Sequence, residues 1–208
     1  MSYSKEHKAK SKQRILQSAT ELFCRYGFDK VSIASLMKLA KMTHGAFYAH
    51  FESKEALYRE AFQGALQRSR ASKLIKGPMA VSHLRELVTG YLNLRDLGAQ
   101  STPGVESFLS NNIANENPEV KKLYEQSYFG LYRLLEKRLL ALSKLKSSPL
   151  TFSPSLIPDK TRAILASMIG AIALAKSIEQ DEEREAILAA SQNHIFTILG
   201  LDEAQGAT

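Results

Sequence analysis

Apolar residues in this chain recur three and four positions apart from one end to the other, and nowhere do they alternate with polar ones over any length. Side chains three and four apart share one face of an α-helix, whereas alternation is what a half-buried strand requires. The sequence therefore predicts an all-α chain, helix after helix, with no repeat and no low-complexity tract. Its 208 residues divide into about nine helices. That is enough for one large domain or two small ones with a sizeable core.

The punctuation sets the expected boundaries. The first helix runs from about Ser11 to Tyr26 on a stripe of Ile15, Ala19, Leu22 and Tyr26, widened by Leu16 and Phe23. Gly27 falls where a left-handed C-cap belongs. Ser32 caps a short second helix ending near Ala40, with Leu36 and Leu39 on its apolar side. Thr43 caps a third, through His50 or Phe51, and Ser53 caps a fourth carrying Leu57, Phe62 and Leu66, which fades near Lys76-Gly77-Pro78. A fifth is expected around Val81 to Arg95 and a sixth around Val105 to Ile113. Asn117-Pro118-Glu119 starts the seventh with a cap, a proline and an acid in the first turn, and that helix reaches about Leu145. SSPLTFSPSLIP, 147–158, holds three prolines and four serines and reads as a loop. Asp159 caps an eighth helix to about Gln180, and a ninth runs from about Glu182 to Leu199 with Gly200 as C-cap.

Charge narrows the partners. Residues 1–76 carry 15 Lys/Arg against 6 Asp/Glu, a balance of +9, while residues 77–208 carry 13 against 15, a balance of −2. A basic third on a near-neutral body points either to a polyanionic partner or to a solvated basic face, and charge alone leaves the two level. The single cysteine, Cys24, excludes an internal disulfide and fits a reducing cytosol. Its position just beyond the apolar stripe suits a small buried filler better than a redox thiol. The N-terminal MSYSKEHKAKSKQRIL lacks a signal peptide's apolar run. The uncharged run Ala163 to Ala175 is thirteen residues, against about 20 for a membrane span. A cytoplasmic protein with no membrane partner is expected. No His, Cys, Asp or Glu cluster has metal spacing, and there is no glycine-rich phosphate loop or serine-centred elbow. No catalytic residue, metal or cofactor is expected, and an all-helical enzyme is the weakest of the readings.

Only Lys41-Met42-Thr43 separates helices two and three. Two short helices on so tight a turn, packed on a longer first helix, make a helix-turn-helix over about 32–51. In such a unit the second helix enters the DNA major groove with its N-terminal residues near base edges. Spacing alone leaves an ordinary helical hairpin open. Gly45 costs about 1 kcal/mol relative to alanine inside a helix. It either lets the backbone approach an outside partner or admits a neighbouring helix. Tyr48 and His50 can donate to phosphate, or fill a core edge with a hydrogen-bonded tip. Phe47 and Phe51, four apart, face inward. Lys54 opposes the dipole of the fourth helix, which is tolerable where a phosphate binds the same end.

The ordered set Ile15-Leu16, Ala19, Leu22-Phe23, Gly27-Phe28, Ser32, Leu36, Ala40, Thr43, Gly45, Phe47-Tyr48, His50-Phe51 and Ser53-Lys54-Glu55 resembles the DNA-binding domain of TetR-family (tetracycline-repressor-like) regulators. The resemblance implies a DNA-binding domain over 1–55 and an effector-binding and dimerisation domain over 56–208. It implies a ligand-responsive transcriptional regulator, most often a repressor, that binds a near-palindromic double-stranded operator as a homodimer. A small-molecule effector releases it by moving helix four. Carried over by position, Ser32, Thr43, Tyr48, His50 and Lys54 become phosphate contacts, and His44, Gly45, Ala46 and Ala49 face the bases. Two residues depart from the family pattern: Lys41 stands where glycine is usual in the turn, and Met37 where alanine is common.

In the body, Ala163, Ala166, Gly170, Ala173 and Ser177 form a stripe of small residues beside Leu165, Ile169 and Ile172, and helix nine offers Ile187, Ser191, Ile195 and Ile198. Small stripes let helices approach closely. The expected dimer surface is Ala166, Ile169, Gly170, Ala173, Ser177, Ile187, Ser191 and Ile195, with packing inside one subunit as the alternative. An effector pocket is expected among helices four to eight. Its candidates are Tyr91, Phe108, Tyr128 and Tyr132, with His83, Asn111 and Asn112 as polar handles, which suits a largely apolar or aromatic effector. A DNA-architectural protein without a ligand remains a second reading, and a solid body would favour it.

Overall fold

Seven α-helices, two short 3-10 turns and no strand make up the described residues of the computed structural model, which are 2–68, 79–93, 108, 115–145, 149–150 and 152–201. The helices are α1 (Ser2–Tyr26), α2 (Ile33–Leu39), α3 (Lys54–Arg68), α4 (Val81–Tyr91), α5 (Pro118–Ser143), α6 (Ile157–Ser177) and α7 (Asp181–Leu199), with 3-10 turns at His44–Ala46 and Pro154–Leu156. The all-α expectation holds. The expected sixth helix lies outside the described residues apart from Phe108, as do Asn111 and Asn112.

Several ends fall where local chemistry places them. Gly27 at φ 79 and Gly200 at φ 68 close α1 and α7 in the left-handed region. Asn117 Oδ1 accepts from the backbone N–H groups of Glu119, at 2.9 Å, and Val120, at 3.3 Å, which caps α5. Three expectations need correction. The first helix starts at Ser2, nine residues before Ser11, and residues 6–10 of this extension are exposed and steadied by a Glu6–Lys10 ion pair at 2.8 Å. Apolar periodicity cannot register turns that bury nothing. The eighth helix starts at Ile157 with Pro158 in its first turn, where a missing N–H and a preset φ are no handicap. Asp159 therefore sits inside that turn and is not its cap. The third correction, to residues 43–51, is described with the site below.

The chain forms two compact units. The first contains Met1–Ser69 and Thr102–Glu125. Its core joins Ile15, Ala19 and Phe23 of α1 to Leu36 and Met37 of α2, Phe47 and Phe51, and Leu57, Tyr58 and Phe62 of α3. Phe108, Val120 and Leu123 complete it from far along the sequence. The packing unit thus continues past residue 55. Tyr58 lies edge-on to Phe23, Phe28 and Phe108 at centroid separations of 4.8, 5.1 and 5.4 Å. Each such pair adds about 0.5–1.5 kcal/mol beyond simple burial. Tyr58 and Tyr124 share a hydroxyl hydrogen bond, and Tyr124 donates onward to the carbonyl of Phe108 at 2.9 Å. Burial above all, then Tyr124, pushes the Tyr58 phenol well up, so it stays a neutral donor.

The second unit contains Arg70–Ser101 and Gln126–Thr208. Its core draws Leu84 and Val88 from α4, Leu135, Leu139 and Leu142 from α5, Ile164, Met168 and Ile172 from α6, and Leu188, Ile195 and Leu199 from α7. Helices α6 and α7 pack along one another, joined by residues 178–180.

Candidate nucleic-acid interface

The tight turn of the first unit is built from α2, residues 40–43 and the segment 44–51. Ser32 caps α2 by a reciprocal box: its Oγ accepts from the backbone N–H of Ser35 at 3.1 Å, and Ser35 Oγ accepts from that of Ser32 at 3.2 Å. Leu36 and Met37 bury the other side of the helix. At the exit, Arg14 of α1 donates from Nη2 to the carbonyl of Ala40 at 2.6 Å. The chain then reverses at Lys41, whose φ of 54 is the left-handed conformation that glycine takes at no penalty. For lysine the strain is about 1–2 kcal/mol. Met37 occupies the core beneath this turn, and its carbonyl accepts from the Met42 N–H at 2.9 Å.

Residues 44–51 do not form the α-helix expected of them. A 3-10 turn spans His44–Ala46, and residues 48–50 continue as turns. Hydrogen bonds run Ala46 to Thr43, Phe47 to His44 and His50 to Phe47, all i to i−3, and only Phe51 to Phe47 has the α spacing. The composition explains this. Gly45 is a poor helix former, Thr43, Tyr48 and His50 are middling ones, and so short a segment lies below the length at which a helix sustains itself. What holds it is the anchoring of Phe47 and Phe51 in the core, with their rings 5.8 Å apart.

The outward face carries the residues read from the sequence. Thr43, His44, Gly45, Tyr48 and Ala49 are exposed and Ala46 is half-buried. Tyr48 is 60% exposed, flanked by the rings of Phe47 at 5.2 Å and His44 at 5.9 Å. Thr43 stands at the cap position but makes no side-chain cap bond, which leaves its hydroxyl to an outside group. A Cβ added at Gly45 would meet nothing within 4 Å. The idea that this glycine admits a neighbouring helix therefore finds no support among the described residues.

Ser32 and Lys54 hold the scaffold together. Ser32 is exposed but its Oγ accepts the cap bond. Lys54 Nζ donates to the carbonyls of Phe28, at 2.9 Å, and Val31, at 3.0 Å, and lies 4.1 Å from the Phe28 ring centroid. It pins the turn between α1 and α2, so at most one of its three N–H donors remains for a phosphate. Desolvation lowers its pKa, against opposing pulls from Asp29 and Glu55. Asn115 steadies the same turn by donating to Asp29 Oδ2 at 2.8 Å. Sequence reading missed Arg14 and Asn115. Both act on partners distant in sequence, so no local spacing announces them.

The body candidates do not assemble into one site. Phe108 is fully buried in the first unit against Tyr58 and Phe62, so it is not a pocket residue of the body. Tyr91 is buried in the body core. Tyr128 is exposed on α5 with Tyr132 half-buried 6.1 Å away, and Arg162 covers the Tyr132 ring at 5.4 Å. His83 is half-buried, with Nδ1 3.5 Å from a Glu86 carboxylate oxygen. A cavity of about 260 Å³ opens elsewhere, lined by Thr89, Leu92, Asn93, Glu185, Leu188, Ala189 and Gln192. That is slightly below the roughly 300–1,000 Å³ usual for ligand sites. Of the dimer candidates, Ile195 is fully buried inside its own subunit and offers no surface to a partner. Ala166 and Ser177 are exposed, Ile169, Gly170, Ala173, Ile187 and Ser191 are half-buried, and a Cβ on Gly170 would meet open space. Leu174, which the sequence did not single out, is 59% exposed between them. Among the described residues no group of His, Cys, Asp or Glu could hold a metal, and no helix is long and apolar enough to cross a membrane.

A capped short helix, a strained tight turn and an exposed polar segment on a basic unit together define a helix-turn-helix protein. Residues 15–61 match the model of a family described as bacterial regulatory proteins, tetR family. The chain is 28% identical over 136 residues to YerO, an HTH-type transcriptional regulator of Bacillus subtilis (strain 168), covering 62% of this chain and 45% of that protein. It is 31% identical over 91 residues to the HTH-type transcriptional regulator AcrR of Shigella flexneri, covering 41% of each. The chain thus spans less than half the length of these two relatives. The fold matches E. coli NemR in its reduced form, with a TM-score of 0.70, 20% identity and coverage of 91% of this chain and 98% of that one. It also matches NalD of Pseudomonas aeruginosa, the secondary repressor of the MexAB-OprM multidrug efflux pump, with a TM-score of 0.67, 18% identity and coverage of 94% and 98%. Residues 15–61 thus carry the pattern of the tetR family of bacterial regulatory proteins.

Proposed function

We propose that this protein is a ligand-responsive transcriptional repressor that binds a near-palindromic DNA operator as a homodimer in the cytoplasm. The observation that carries the reading is the face of residues 43–49, whose polar tips and bare Gly45 backbone are exposed within a basic N-terminal third that carries +9 over residues 1–76. His44, Gly45, Ala46 and Ala49 face the bases, while Thr43, Tyr48 and His50 donate to phosphates on either side. Ser32 and Lys54 contribute to phosphate binding mainly by fixing the turns. DNA recognition centres on residues 1–55 and effector response and dimerisation on 56–208.

Two such units must sit about one or more DNA turns apart. The small-residue face of α6, with Leu174 at its edge, is suited to an isologous contact with a second copy, since exposed apolar patches of this kind mark association surfaces. The effector binds the DNA-free conformation better and moves α3, the fourth helix expected from the sequence. Without such differential affinity it would shift nothing. The test is a titration of purified protein against its own upstream DNA and a mixed-sequence duplex at two salt concentrations. The expected result is a strong preference for the upstream duplex with a steep salt dependence on both. Equal binding to the two would refute the reading.

A further inference from the structure

The left-handed turn at Lys41 follows from the way α2 ends. The Met42 N–H donates back to the Met37 carbonyl at 2.9 Å, and the Lys41 N–H to that of Lys38 at 3.1 Å. Together they close the helix end, with Ala40 as cap and Lys41 as the residue after it, the position that takes a positive φ and favours glycine. Met37 and Met42 pack in the same core, the apolar contact that accompanies such a closure. A lysine there is strained, and strain of this kind concentrates at functional sites. The ammonium of Lys41 finds no task among the described residues. Closing α2 does not need it, because Arg14 already brings a guanidinium to the Ala40 carbonyl at 2.6 Å and Lys38, exposed in the last turn, complements the helix dipole. The cations around it are engaged: Lys54 on the Phe28 and Val31 carbonyls, and Lys12 with Glu60 at 2.9 Å and with the Phe51 ring. His50 is half-buried, with Nδ1 enclosed. Lys41 is exposed, with no side-chain hydrogen bond or ion pair among the described residues. It stands at the head of the recognition segment, just before Thr43, whose hydroxyl makes no cap bond.

We propose that Lys41 is a DNA-binding residue in its own right: the strained turn holds its ammonium at the head of the recognition segment, where it takes one backbone phosphate. The proposal rests on the DNA-binding reading and adds to it a contact that glycine in this turn could not make. An ammonium on a phosphate releases counterions from the duplex, so its signature is salt dependence without sequence preference. The same side chain strains the free protein. Stability and affinity are therefore opposed at this one residue, and a charge that served only to close α2 would not oppose them.

The experiment compares the full chain as wild type, Lys41→Gly, Lys41→Arg and Lys137→Ala. Each is measured by thermal unfolding and by fluorescence anisotropy across salt, on a duplex from its own upstream region and a mixed-sequence duplex of equal length. Lys41→Gly is expected to raise the thermal midpoint by about 2–4 °C as the strain is relieved. It is also expected to flatten the slope of log affinity against log salt by about 0.9 per protomer on both duplexes, with unchanged preference between them. Lys41→Arg keeps the charge and the strain, and is expected to keep the wild-type slope and midpoint. Lys137→Ala removes an equal charge from an exposed position of α5 in the second unit, and is expected to keep the wild-type slope. The proposal is overturned if Lys41→Gly keeps the wild-type slope while the wild type prefers its upstream duplex. It is overturned equally if Lys137→Ala flattens the slope as much, since net charge alone would then explain the loss, or if Lys41→Gly lowers the midpoint. A wild type that binds both duplexes equally removes the DNA reading, and this contact with it.

Discussion

The two limbs of the helix-turn-helix are held by opposite means. Helix α2 is a true helix, closed at its start by the Ser32–Ser35 box and at its end by Arg14 on the Ala40 carbonyl. The segment that follows has little helical bonding of its own and depends on two phenylalanines gripping the core. One limb is fixed by local hydrogen bonds, the other by tertiary anchorage. The division suits recognition. A capped, buried limb sets position, while a loosely bonded face can settle into a groove and tighten when it meets its partner. The same loosely bonded segment exposes Gly45 and Tyr48.

Substitutions test this difference, and the largest effect belongs to the anchor. Phe47→Ala should cost about 3–5 kcal/mol in denaturant unfolding, because a fully buried ring leaves a cavity. A cost under about 1 kcal/mol would mean the segment carries its own stability. Lys54→Ala comes next, at about 1–3 kcal/mol, since two carbonyls of the α1–α2 turn lose their donor. If that variant bound DNA more weakly with an unchanged unfolding midpoint, Lys54 would be a phosphate ligand first and a brace second. Ser32→Ala removes the cap of α2 and should cost about 1 kcal/mol, read as a lower thermal midpoint. Gly45→Ala should have the smallest effect on stability and the opposite sign. Its Cβ meets open space, and helix propensity favours alanine by about 0.5–1 kcal/mol. Weaker DNA binding is nevertheless expected, because the new methyl stands where the backbone must come close. A Gly45→Ala protein that gained stability and kept full affinity would show that the glycine serves no approach.

Much of this was legible from residue types. Gly27, Asn117 and Gly200 ended or began helices where capping chemistry put them, and the tight turn was placed by the three residues between two short segments. Lys41 could be flagged because the family resemblance puts glycine at its place in the turn, and its φ of 54 is the left-handed value that glycine favours. The illegible part has one cause. Arg14 reaching Ala40 and Lys54 reaching Phe28 span 26 residues, and Asn115 reaching Asp29 spans 86. Such bonds have no period. The apolar pattern likewise missed the first turns of α1, where residues 6–10 are all exposed. Phe108 was assigned to a body pocket on aromatic character alone, and chain topology put it under the recognition unit instead.

The central claim is that His44, Gly45, Ala46 and Ala49 face the bases while Thr43, Tyr48 and His50 grip the backbone. Selection of preferred sites from a randomised duplex library, compared between wild type and His44→Ala, tests it most directly. The account predicts that His44→Ala still folds but selects a different or relaxed consensus at specific positions, each worth about 1–3 kcal/mol. An unchanged consensus with uniformly weaker binding would contradict it.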